Sequence, residues 1–84
     1  MQVSKAVVKY NRQCFSVDAR KITKVDIELA RNYTVISVFY VGSKFPTRAF
    51  LVPLSNGDID YKTISNIYVS IMEANEKLLK EKNK

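Results

Sequence analysis

Residues 2–10 alternate between apolar and polar positions. Ser4, Ala6, Val8 and Tyr10 fall on one side of an extended chain, and Val3, Lys5, Val7 and Lys9 on the other. A side-chain period of two with β-branched residues predicts a strand. Asn11-Arg12-Gln13 reads as a turn, and Cys14 to Val17 as a returning strand with Phe15 and Val17 on one side. After a polar connection from Asp18 to Lys21, alternation resumes from Ile22 to Ala30. Val25, Ile27 and Leu29 face one way there, and Lys24, Asp26, Glu28 and Ala30 the other. Arg31-Asn32 is a tight-turn candidate because Asn tolerates positive φ.

Tyr33 to Val41 is apolar or aromatic on both faces, the pattern of a strand in the middle of a sheet. Gly42 to Thr47 contains Pro46 and reads as a loop. Arg48 to Val52 is a further strand stopped by Pro53, and Ser55-Asn56-Gly57 is a turn signal. The period then changes. Tyr61, Ile64, Ile67, Tyr68, Ile71, Met72, Leu78 and Leu79 recur at helical spacing from about Tyr61 to Lys82, with Lys62, Asn66, Ser70, Glu73, Lys77 and Lys80 opposite. Asp58 or Asp60 is placed to cap this helix, and Glu81 to Lys84 are expected to fray.

Four or five strands followed by one helix predict an α+β fold, an antiparallel β-meander packed by a C-terminal amphipathic helix. A small partial barrel capped by the helix is the alternative closure. The 84 residues fit one domain, with 1–57 forming the sheet region and 58–84 the helix. Val35 to Val41 is too short an apolar run to cross a bilayer. The first residues lack the long apolar core of a signal peptide, so a cytoplasmic setting is expected.

Charge sharpens the picture. The net charge is +6, and residues 1–57 carry all of the excess, with nine Lys/Arg against three Asp/Glu; residues 58–84 balance five against five. Residues 1–24 hold six basic residues against Asp18 alone. Such asymmetry predicts a basic face. Lys5 and Lys9 share a strand face, Arg12 lies in the adjoining turn, and Arg20, Lys21 and Lys24 follow. With Tyr10 and Phe15 nearby, the region has the ingredients of single-strand nucleic-acid binding: cations for phosphates and rings for bases. No RNP-type, zinc-knuckle, helix-turn-helix or KH pattern accompanies it, and a merely solubilising basic surface is the competing reading.

A second feature points to a protein partner. Tyr33, Phe39 and Tyr40, with Phe45 and Phe50, exceed the aromatic surface one helix can cover. An uncovered patch marks an interface, unless the first hairpin folds over it. On the helix, Tyr61, Ile64, Tyr68, Ile71, Asn75 and Leu78 follow heptad-like spacing, with Asn75 as a polar core position. The same stripe is needed to cover the sheet, so packing within the chain is expected. A homodimer would form through Met72 and Leu79 or through a sheet edge.

Conventional catalysis is not expected. The chain has no histidine, which excludes Ser–His and Cys–His pairs and His metal sites. One cysteine, Cys14, builds no zinc or iron–sulfur site, and its place beside Phe15 predicts a buried structural thiol. Two glycines cannot form a phosphate loop. Asp58 and Asp60 suit a helix cap better than a metal, and Asp26 and Glu28 a solvated strand face better than an acid–base pair. No cofactor and no metal are expected. The chain reads as a non-enzymatic binding protein for nucleic acid, with a protein-interaction module as the alternative.

Overall fold

The computed structural model describes residues 5–82. Five strands precede one helix: β1 (Lys5–Tyr10), β2 (Gln13–Asp18), β3 (Ile22–Leu29), β4 (Tyr33–Tyr40), β5 (Thr47–Pro53) and α1 (Tyr61–Lys82). Every strand pairing is antiparallel. β1 and β2 form a two-stranded sheet, and β3, β4 and β5 a three-stranded one with β4 in the centre. The α+β meander-and-helix order is thus the one expected, and the two-sided apolar strand is the central one. Of the residues expected to fray, Glu81 and Lys82 continue the helix; residues 83–84, and the expected start of the first strand at residues 2–4, lie outside the described residues.

Local chemistry explains the turns. The β1–β2 hairpin closes at Tyr10 and Gln13 around Asn11-Arg12, with Asn11 at positive φ, so Gln13 is a strand residue rather than a turn residue. Between β3 and β4 the Ala30 N–H donates to the Tyr33 carbonyl at 2.8 Å. Among the described non-glycine residues only Asn11 and Asn56 have positive φ, so the tolerance expected of Asn32 goes unused. Asn56 and Gly57 have φ of 52° and 81°, and flanking Ser55 and Asp58 exchange hydrogen bonds of 2.8 and 3.0 Å. Two positive φ values in a two-residue turn are the geometry that makes Asn-Gly favourable. Asp60 is the cap: its carboxylate accepts from the Thr63 N–H at 3.1 Å and from the Thr63 hydroxyl at 2.7 Å. That bonding holds the Asp60 carboxyl below its ordinary pKa.

One core lies between the sheets and the helix. Phe15 and Val17 of β2, Ile36 and Val38 of β4, Phe50 and Val52 of β5, and Ile64, Ile67 and Ile71 of α1 are buried together. Phe50 is central, with the Tyr10 and Phe15 ring centroids each 6.2 Å from its own. Burying a side chain of this size contributes about 1.5–3 kcal/mol. The hairpin and the helix therefore cover the same face of the three-stranded sheet. Gln13 joins the sheets at the β5 edge. Its side-chain amide donates to the Leu51 carbonyl and its carbonyl oxygen accepts the Leu51 N–H, both at 2.8 Å, as a neighbouring strand's backbone would. The strands follow one another around the core as β1-β2-β5-β4-β3, and the helix lies across the open side.

The helix is not centred on that opening. It packs most extensively on β1, then β2, and only lightly on β3. Asn75 fixes this placement. It is buried, and its side-chain amide donates to the Asp18 and Arg20 carbonyls at 3.1 and 2.7 Å. The polar position of the heptad-like pattern thus anchors the helix within its own chain. Two expectations about apolar stripes are corrected by the tilt. Ile27 and Leu29 point to the helix side of the sheet but are 47% and 61% exposed, because the helix does not reach them. Tyr61 and Tyr68 lie on the flank of the stripe and are also exposed, while Met72 packs against the core.

Candidate nucleic-acid interface and the grooves beside the helix

The predicted basic residues divide among three places. On β1, Ala6, Val8 and Tyr10 turn toward the core, so Lys5, Val7 and Lys9 face solvent. The register sets Lys9 opposite Cys14, Val7 opposite Ser16 and Lys5 opposite Asp18. Arg12 is exposed at the hairpin tip. Lys5 and Lys9 therefore share one open face, and Arg12 is exposed at the tip that closes it. Cys14 is exposed on it, against the buried thiol expected, because Phe15 and Val17 take the inward positions of β2.

Arg20 is engaged elsewhere. Its guanidinium pairs with the Asp18 carboxylate at 3.0 Å and lies 4.9 Å from the centre of the Tyr40 ring. Burial pushes the Asp18 carboxyl upward, but the hydrogen bonds and charge of Arg20 outweigh it and hold the carboxyl below its ordinary value. Burial raises the Tyr40 hydroxyl. Lys21 is exposed at the start of β3, where its carbonyl accepts the Val41 N–H at 2.8 Å. Lys24 lies on the far face of the other sheet, its ammonium 5.4 Å from the centre of the Phe39 ring.

The aromatic partners of the basic cluster are also placed differently from expectation. Phe15 is buried and serves the core, while Tyr10 stands edge-on to Phe50 at 88°, half-buried, and also lines the groove that Lys9 borders. Among the proposed partner-facing aromatics, Tyr33 and Phe39 share the outer face of β4 with Val35. Tyr40 is on the opposite face, 3% exposed, and accepts the Asp18 N–H at its hydroxyl. No described element lies over the Tyr33–Phe39 face, because the hairpin packs on the inner side. Phe50 is core, and Phe45 is 78% exposed in the β4–β5 loop.

Two grooves run beside the helix. On the β1 side, Lys9 meets Thr63, Asn66 and Ser70 around a groove of about 230 Å³ that Val8, Tyr10 and Ile67 also line. Its polar lining residues are Lys9, Thr63, Asn66 and Ser70, and none of the lining residues is acidic; the Thr63 hydroxyl donates to Asp60 just beyond them. Thr63, Asn66 and Ser70 recur at three- and four-residue spacing, which places them on one helix face; only the register against β1 shows that this face borders Lys9. On the β3 side, Ile27, Tyr61, Ile64 and Tyr68 line an apolar groove of about 380 Å³.

No group of three His, Cys, Asp or Glu side chains is placed to hold a metal ion among the described residues. No described helix is long and apolar enough to cross a membrane. No protein-family model matches the chain, and neither a curated protein nor a solved structure matches it significantly.

Proposed function

We propose that the protein is a non-enzymatic nucleic-acid-binding module. It takes a single-stranded sugar–phosphate backbone along the outer face of the β1–β2 hairpin and into the groove between β1 and the helix. One observation carries the reading. Lys5 and Lys9 share an open strand face, with Arg12 exposed at the adjoining tip, and Lys9 borders a groove whose lining residues Asn66 and Ser70 carry hydrogen-bond donors and none of whose lining residues is acidic. Cations supply the counterion-release component of affinity, and Asn66 and Ser70 supply donors for phosphate or sugar oxygens, the Thr63 hydroxyl being spent on Asp60. The groove, about 230 Å³ in volume, is on the scale of one nucleotide. With Phe15 buried and Tyr10 half-buried edge-on to Phe50 at the wall of the groove, stacking is limited to what Tyr10 exposes there, and binding is modest and indifferent to sequence. A cytoplasmic setting suits the exposed, unpaired Cys14, which stays reduced there.

The test is fluorescence anisotropy with single- and double-stranded oligonucleotides at low salt. About three or four phosphate contacts on a single strand give a log–log salt slope of about −2 to −3. Undetectable binding by folded protein rejects the reading. The open Tyr33–Phe39 face favours a second reading, a protein-interaction module, which then leads.

A further inference from the structure

The two edges of the three-stranded sheet differ. The β5 edge is occupied by the side-chain amide of Gln13, but the outer edge of β3 has no partner strand among the described residues. From Lys24 to Leu29 that edge is regular; a bulge interrupts it between Ile22 and Lys24. The Ala30 N–H bonds the Tyr33 carbonyl. Antiparallel alternation then directs the backbone of Glu28, Asp26 and Lys24 toward β4, and that of Leu29, Ile27 and Val25 toward the free edge. An unpaired, regular edge with exposed Ile27 and Leu29 is a template for another strand.

We propose that two copies of this chain pair through β3 in antiparallel fashion, with Lys24 facing Glu28 of the partner subunit. The two sheets become one six-stranded sheet with a twofold axis at Asp26. The pattern of charge selects a second copy as the occupant. The outer face of β3 reads Lys24, Asp26, Glu28, and reversing the strand brings each end against its opposite sign. Val25 and the partner's Ile27 both direct their backbone groups to the seam and form a hydrogen-bonded pair on the helix-side face. Lys24 and the partner's Glu28 then occupy a non-hydrogen-bonded position, where cross-strand side chains approach most closely.

Charge and the bulge together fix the register. Sliding two residues one way sets Asp26 against Glu28 twice. Sliding two residues the other way runs the pairing into the bulge. The chosen register retains one unfavourable contact, Asp26 against the partner's Asp26 at the axis. The pairing lies on the β3 side of the helix, away from Lys5, Lys9 and Arg12, so it stands apart from the nucleic-acid reading.

Sedimentation equilibrium of the full chain, with circular dichroism to confirm folding, tests this. The expected result is a monomer–dimer equilibrium reached below about 1 mM. Lys24→Glu and Glu28→Lys each weaken it about tenfold, because symmetry makes each change act at two positions. The Lys24→Glu/Glu28→Lys double variant restores it, and Asp26→Asn tightens it. A folded chain that stays monomeric throughout overturns the proposal. So does a dimer indifferent to the single reversals, or one that the double reversal fails to restore. A strand from a different protein as the true occupant would show as the first of these outcomes.

Discussion

The two sides of the helix present opposite chemistry. Toward β1 the helix offers Thr63, Asn66 and Ser70 to Lys9; toward β3 it offers Tyr61, Ile64 and Tyr68 to Ile27. The same helix borders both grooves, yet one is polar and cationic and the other apolar. The cause is the lean of the helix. Asn75 ties it to the carbonyls of the β2–β3 connection, and Ile67 and Ile71 seat it over the hairpin. The apolar stripe is wider than the surface it covers, and the surplus emerges on the β3 side. The difference separates two capacities: a wet cationic side suited to a charged backbone, and a drier side bordering an unpaired strand edge, suited to protein.

The comparison breaks most completely if the shared core is lost. Ile71 is fully buried under the helix, and Ile71→Asp puts an unpaired charge there. The expected loss is about 3–5 kcal/mol, comparable with deleting a whole buried side chain. Domain stability is about 5–15 kcal/mol, so this variant should be largely unfolded or melt far earlier in urea. Asn75→Ala tests the lean itself. It leaves the Asp18 and Arg20 carbonyls without their donor, at a cost of about 1–3 kcal/mol, measured by urea denaturation. Faster amide exchange along α1 should accompany it, and an unchanged midpoint would show that Asn75 does not hold the helix.

Acid probes the Asp18–Arg20 pair beside that anchor. The Asp18 carboxyl is held below its unfolded value of 3.8, so its contribution is present above that pH. It is lost as pH falls through the folded value. Arg20→Gln should shrink the acid-side loss, measured as the difference between thermal midpoints near neutrality and in strong acid. The smallest effect belongs to the open side. Tyr61 is 72% exposed, and Tyr61→Ser should change monomer stability by no more than about 0.5 kcal/mol. A larger loss would mean that the β3-side groove is more tightly packed than its exposure indicates.

Much of this fold is legible in the sequence because local signals agree with the global arrangement. Alternation marks β1 and β3, Asn56-Gly57 marks a turn, and Asp60 three residues before Thr63 marks the helix start. The inward positions of β1 follow from parity alone. What parity cannot give is the inward face of β4, where both faces are apolar; Tyr40 turns in while Tyr33 and Phe39 turn out. Nor can it give the lean of the helix, which depends on a hydrogen bond between residues far apart in the chain. The exposure of Cys14 was readable, since Phe15 and Val17 claim the inner positions. So was the engagement of Arg20, two residues from the only acidic group in that stretch. The basic cluster looked larger in sequence because Lys24 is near Lys21 along the chain, yet it belongs to a different sheet face.

The central claim is that the cationic side of the helix binds a nucleic-acid backbone. Its most direct test compares wild-type protein, Lys5→Glu/Lys9→Glu and Lys24→Glu in anisotropy titrations of a single-stranded oligonucleotide at several salt concentrations. Both sets of substitutions sit on exposed strand faces and should leave the fold intact. Wild type should bind with affinity that falls steeply with salt. The Lys5→Glu/Lys9→Glu variant should lose most of that affinity and flatten the slope, while Lys24→Glu loses far less. Undetectable binding by folded wild-type protein at concentrations on the order of tens of micromolar, or equal losses from both variants, would contradict the account.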